Sequence, residues 1–213
     1  MFVQVIKGKV SDSSAIRAAL EKWANELGSG ATGWLGSTTG VTDDGALIAV
    51  ARFDTVENAR RNSDRPEQGQ WWAETERLLD GGVTFDDSTQ VDDYVAGDPD
   101  TAGFVQVMQG RVSDLARVRA LMQQRPASFR ELRPDILAVL NLGHEDGRWT
   151  SVAYFTSEAE ARQRESQERP PEFAEMMKEM AALSVEETTY YDLRQVWFHS
   201  PRSAQMGSMA SSS

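Results

Sequence analysis

FVQVIKGKVSD, running from Phe2 to Asp12, decides the fold because it returns 102 residues later as FVQVMQGRVSD, from Phe104 to Asp114. Eight of the eleven positions are identical, so the chain is a tandem duplication. The register persists downstream. Asp44-Gly45 matches Asp146-Gly147, and Val50, Phe53, Ala59 and Arg60 match Val152, Phe155, Ala161 and Arg162. The offset then grows to 104 or 105, where Arg65-Pro66 matches Arg169-Pro170 and Asp87, Gln90 and Val91 match Asp192, Gln195 and Val196. A unit of about a hundred residues is too long for a solenoid repeat and suits one small domain.

Within the first unit, Phe2 to Val10 is a β-rich run that places Phe2, Gln4 and Ile6 on one face and Val3, Val5 and Lys7 on the other. Asp12 can cap a helix whose Ile16, Leu20, Trp23 and Leu27 share one side, and Gly28 is placed to end it. Ala31 to Val41 and Ala46 to Phe53, joined by Asp43-Asp44-Gly45, predict a β-hairpin. A helix from Thr55, another after Arg65-Pro66 that stops at Gly81-Gly82, and a last strand from Val83 to Val91 complete the unit. The second unit repeats this with Phe104 to Val112, a helix from Asp114, strands over Asp135 to Gly143 and Arg148 to Phe155, helices from Ser157 and Pro171, and a strand from Glu187 to Val196. Ser157 and Glu160 have the spacing of a capping box.

The order βαββαβ predicts an α+β fold in which each unit forms a four-stranded antiparallel sheet with its helices on one face. The uncovered faces of the two sheets are expected to pack together, giving a pseudo-dimer within one chain. Residues 1–91 and 104–197 are the two repeats, 92–103 an exposed linker rich in acid, Gly and Pro, and 198–213 a mobile polar tail.

Composition narrows the function. A net charge of -11, densest from Asp86 to Asp100, disfavours nucleic acid and anionic membrane, which require clustered Lys and Arg. No stretch reaches the roughly 18 apolar residues of a membrane-spanning helix, and the N-terminus enters a strand without a signal-like apolar core, so a cytoplasmic location is expected. The absence of cysteine removes thiolate chemistry, and two histidines, His144 and His199, are too few for a repeated His-dependent site. Their turn and post-strand positions predict solvated side chains. The sequence contains no phosphate-loop or nucleophile-elbow motif, and Asp86-Asp87 reads as charged strand-end surface.

The strand ending Val50-Ala51-Arg52-Phe53, the acidic helix after it, and Asn62-Ser63-Asp64 before a second short helix resemble the dimeric α+β barrel superfamily with ferredoxin-like units, in particular antibiotic-biosynthesis-monooxygenase (ABM) domains. The resemblance covers both halves. It implies two tandem ferredoxin-like repeats packed as an intramolecular α+β barrel, and an enzyme or binder of a small aromatic ligand, with cofactor-independent oxygenation of a polyphenolic substrate as the leading activity and no cofactor or metal. The alternative is a non-catalytic structural or stress-related barrel. A haem-binding variant ranks third, since the slots that haem-degrading relatives fill with Asn, Trp and His hold Ile6, a residue near Arg61, and Trp71 or Trp72, with Met176 or Met177 in the second half.

No catalytic residue is assigned. Ligand-binding candidates are Gln4 and Gln106, amides within apolar strands that could orient a ligand between the sheets or bond each other across the pseudo-twofold axis. Ile6 and the aromatic residues Trp34, Trp71 and Trp72 could wall a flat substrate. Arg52, on the third strand, could bind a phenolate or carboxylate or be an exposed or ion-paired strand-end residue, and its counterpart Tyr154 is a further ligand-binding candidate. The replacement of Trp71-Trp72 by Met176-Met177 favours a working cavity in the first half, and further assembly of the chain stays open.

Overall fold

A computed structural model describes residues 1–124, 129–168 and 170–201; the expected tail from residue 202 onward lies outside them. The first half runs β1 (Phe2–Lys9), α1 (Ser13–Glu26), β2 (Trp34–Val41), β3 (Ala46–Phe53), α2 (Val56–Ser63), α3 (Pro66–Glu76), β4 (Thr84–Ser88) and β5 (Gln90–Val95). The second runs β6 (Phe104–Arg111), α4 (Leu115–Gln123), α5 (Phe129–Leu132), β7 (Ile136–Gly143), β8 (Arg148–Phe155), α6 (Glu158–Glu165), α7 (Pro171–Ala182), β9 (Thr189–Leu193) and β10 (Gln195–His199).

Local chemistry accounts for most of these boundaries. Asp12 accepts from the amides of Ser14 and Ala15 to start α1, and Asp114 from Arg117 to start α4. Ser157 caps α6 through the Glu160 amide, while the Glu160 carboxylate takes the Thr156 and Ser157 hydroxyls. Gly45 and Gly147 adopt φ of +85° and +80° in their hairpin turns, where a Cβ would strike the carbonyl oxygens of Val10 and Val112.

The strands form two antiparallel sheets, ordered β10-β2-β3-β1-β4 and β5-β7-β8-β6-β9. Their facing surfaces bury Val3, Val5, Ile48 and Val50 against Val105, Val107, Leu140, Val152 and Leu193. Full burial of each such side chain contributes roughly 1.5–3 kcal/mol, which makes this shared layer the main adhesive between the halves. The expected face-to-face barrel is present, and apolar side chains fill its centre.

Each expected last strand is in fact two. β4 pairs with β1, but the chain bends at Thr89 and β5 crosses to pair with β7 of the other sheet. Likewise β9 pairs with β6, and after Arg194 β10 crosses to β2. Each sheet thus has a fifth strand from the opposite half. Asp92–Val95, expected in the linker, belong to β5: Val91 joins the layer between the sheets, Tyr94 packs on Phe129, and Asp92 pairs with Arg119. Phe198 and His199, expected in the tail, belong to β10. Tertiary packing overrides the turn-like local composition in both places.

Candidate functional site

The helix-facing surface of the first sheet is set by strand alternation. Gln4 and Ile6 on β1 lie opposite Asp87 and Phe85 on β4, and all four share the side beneath α1 to α3. Gln4 therefore does not face the opposing sheet, and it does not meet Gln106; its Nε2 donates to Asp87 Oδ1 at 2.8 Å. The pair that meets across the pseudo-twofold axis is Lys7 and Gln109, with Nζ donating to Oε1 at 2.8 Å.

Above Ile6 a run of rings crosses the helical layer. Trp72 lies edge-on to Phe85 at 5.4 Å, Trp71 is 6.1 Å from Trp72 and 6.2 Å from Trp23, and Trp23 is T-shaped on Trp34 at 4.9 Å. The indoles of Trp34, Trp23 and Trp71 donate to Ser37, Gln68 and the Ala19 carbonyl, which fixes their planes. Trp34 is buried with Phe2 and Phe53 at the closed end of this layer. Phe85, at the open end, is 49% exposed, and Ile6, Trp71 and Trp72 are half-buried. The structure thus gathers Gln4, Ile6, Trp71 and Trp72 on one aromatic shelf that ends in the Asp87 carboxylate.

The second half has the same polar pair in a different setting. Gln106 Nε2 donates to Asp192 Oδ1 at 2.8 Å, but Asp192 also takes Arg162 at 2.5 Å and Arg194 at 3.5 Å. Arg162 spans Glu158 and Glu165 and lies over the Phe104 ring. Phe104, Phe129 and Phe155 are buried here, with Tyr94 and Phe173 packed on them. In the first half Arg60 holds the Arg162 position, yet among the described residues no arginine or lysine pairs with Asp87.

Arg52 and Tyr154 belong to neither shelf. Both point between the sheets, where the Tyr154 hydroxyl lies 3.0 Å from Thr38 Oγ1. Burial pushes that hydroxyl above its ordinary pKa, against the opposing pull of nearby Arg52. His144 is buried rather than solvated, because its hairpin packs on β4; its Nδ1 lies 3.1 Å from the Asp87 carbonyl oxygen. His199 is half-buried on β10, and burial lowers its pKa. His144 sits on its hairpin against β4, His199 on β10 near Arg17 and Glu21 of α1, and the α3 and α7 slots hold Trp71, Trp72, Met176 and Met177, so no histidine stands where the haem arrangement needs one. Two clefts occur elsewhere, one of about 700 Å³ beside Gln90, Asp114 and Arg119, the other of about 140 Å³ among Lys7, Gln109 and Trp149. Among the described residues no helix is long and apolar enough to cross a membrane.

Asp87 is not among the residues singled out from the sequence, because its neighbour Asp86 and the acids after it resemble solvated surface. One signal was available: the repeat register matches Asp87 to Asp192 while Gln4 matches Gln106, so two polar residues recur together on adjacent strands.

Among solved structures the chain is similar to a candidate monooxygenase from Lactobacillus acidophilus NCFM, with a TM-score of 0.71 at 11% identity over 90% of this chain and 92% of that one. A candidate monooxygenase from Fusobacterium nucleatum subsp. nucleatum ATCC 25586 gives 0.71 at 10% over 93% and 94%, and an anthrone oxidase-like protein 0.66 at 14% over 95% and 94%. The architecture shared with these structures is a tandem ferredoxin-like α+β barrel. At such identities the likeness establishes the fold and leaves the chemistry to the site. No family model and no curated protein matches the sequence.

Proposed function

We propose that the first half binds a small aromatic substrate on its helix-facing shelf and oxygenates it without a cofactor, with Asp87 as proton acceptor. The observation that carries this reading is the uncompensated Asp87 carboxylate, held by Gln4 at the end of an aromatic wall, beside an equivalent pair in the second half that two arginines neutralise. A substrate of the anthrone or hydroquinone class presents an acidic C–H or O–H and a flat ring system, which this combination suits.

For an anthrone the balance is simple. Asp87 takes a proton from the ring CH2, the resulting enolate passes one electron to O2, and the radical pair combines as a carbon-bound peroxide anion. The proton returns as that intermediate loses water, so ArCH2 and O2 give ArC=O and H2O. Trp72, Phe85 and Ile6 would hold the ring against the strand, and Gln4 would fix the carboxylate. Oxygen uptake with a panel of anthrones and hydroquinones tests this. The expected result is saturable uptake with one atom of 18O2 in the new carbonyl; no uptake and no thermal stabilisation by any member of the panel would defeat the reading.

The non-catalytic reading keeps one specific support. The centre of the space between the sheets is filled with apolar side chains, and the second-half shelf is clamped by ion pairs and plugged by phenylalanines. We assign the structural role to that half.

A further inference from the structure

Arg52 is left out of the shelf. Among the described residues it is the half-buried arginine without any hydrogen-bond or ion-pair partner, whereas Arg65, Arg119, Arg133 and Arg162 each pair with a carboxylate. Its Nε is buried and has no acceptor. Leaving a guanidinium N–H desolvated without an acceptor is costly, so such a group marks a place where an acceptor belongs.

The surroundings are built around that head group. Arg52 lies opposite Gly36 on β2, next to the bulge between Trp34 and Gly36. A Cβ on Gly36 would fall 2.8 Å from Arg52 Nη2, 3.1 Å from the His199 carbonyl oxygen and 3.3 Å from Ser200 Oγ, so the missing side chain is what admits the guanidinium. The second half has Ala138, Leu140 and Tyr154 where the first has Gly36, Thr38 and Arg52, so only one of the two equivalent places is polar. Two rings flank it: Tyr154 and Phe198 lie 6.4 Å apart at 38°, with Phe198 half-buried.

Charged neighbours are few. Asp100 stands at this mouth but accepts the Ser200 hydroxyl at 2.5 Å, and burial lowers the pKa of the His199 imidazole. We infer that this end of the barrel, between the two sheets, is a binding site for a small aryl carboxylate whose carboxylate pairs with Arg52 and whose ring lies against Phe198 and Tyr154. A planar carboxylate matches the guanidinium fork, and the aromatic pair supplies the apolar contact that a bare inorganic anion would not use. This site is separate from the helix-facing shelf and does not depend on the oxygenase reading.

The experiment is a titration of the full chain, labelled with 15N-arginine, with benzoate, following the Arg52 Nε–H correlation. That peak is assigned by its loss in Arg52→Gln. Benzoate should move it saturably with a Kd near about 1 mM, the range expected of one charge-assisted pair with a small apolar contact. Benzamide, of the same shape but neutral, should leave it in place, and acetate should bind at least several-fold more weakly. In Tyr154→Phe, which keeps the ring and the fold, benzoate should still move the peak, whereas in Arg52→Gln the ring resonances of Phe198 should no longer respond. An unmoved Arg52 peak at about 10 mM benzoate, or equal responses to benzoate and benzamide, would overturn the assignment and leave the guanidinium to water.

Discussion

The two helix-facing shelves began as one sequence and now do different physical work. Both hold a strand glutamine against an aspartate on the neighbouring strand, at 2.8 Å in each case. Around Asp192, Arg162 and Arg194 close a network that reaches Glu158 and, through Arg194, Asp43 on the other half's hairpin. Around Asp87 the crossing residue is Thr89, and the opposite hairpin contributes a different set of contacts: the Gly143 carbonyl accepts Ser88, His144 meets the Asp87 backbone, and Arg148 takes Asp86. One crossing neutralises its acid and the other holds the strand while leaving the acid unpaired. The comparison teaches that one polar pair can be clamped in one copy and left without cations in the other: Asp192 meets Arg162 of α6 and Arg194 at the crossing, whereas among the described residues Asp87 meets neither Arg60 nor a basic residue at Thr89.

Exchange of the two acids is the strongest way to break this comparison. Asp87→Asn should lower the rate of substrate oxygenation about 10²–10⁴-fold with little change in thermal stability, whereas Asp192→Asn should leave the rate within a few-fold. Equal losses in the two variants would erase the distinction. The aromatic layers give the next test, read in urea unfolding. Phe104→Ala removes a fully buried ring and should cost about 3–5 kcal/mol, while Phe85→Ala, at a half-exposed position, should cost less than about 1 kcal/mol.

Ligand contact is a smaller effect. Trp72→Ala should raise the Kd of an aromatic ligand about tenfold, and Met177→Ala, on the plugged half, should leave it unchanged by calorimetry. Acid sensitivity should be smaller still and, of the two shelves, should sit on the second. The Arg194 guanidinium bonded to Glu158 holds that carboxyl below its ordinary 4.5, so the folded state binds the proton less readily than the unfolded one. Its stabilisation is complete above that value and fades as pH falls through the lowered folded one. Protection of the amides around β9 and α6 against hydrogen exchange should therefore fall on acidification more than protection around β4. The reverse order would place the ionic brace in the wrong half.

Much of the fold was legible because it rests on repetition and alternation. Val3 and Val5, and their copies Val105 and Val107, had to share a face opposite Gln4 and Gln106, and a βαββαβ unit leaves such a face without helices. The candidate site was legible in part. Trp71 and Trp72 could be placed on a helix and Gln4 on a strand, but their meeting over Ile6 and Phe85 depends on how α3 settles on the sheet. Arg52 could be assigned the parity of Ile48 and Val50, yet nothing in its local sequence reveals that among the described residues no carboxylate pairs with it. His144 read as a turn residue because the surface that buries it, the backbone at Asp87, lies 57 positions away.

By itself the sequence determined the duplication, the strand faces and the pairing of two bare sheets, since these follow from side-chain period and from the burial of apolar residues. The tertiary structure alone decided the exchange of β5 and β10 between sheets, the clamping of Asp192 and the freedom of Asp87. Those outcomes depend on which groups arrive from the opposite half, and the electrostatic field at a carboxylate is set by neighbours in space that no local pattern records.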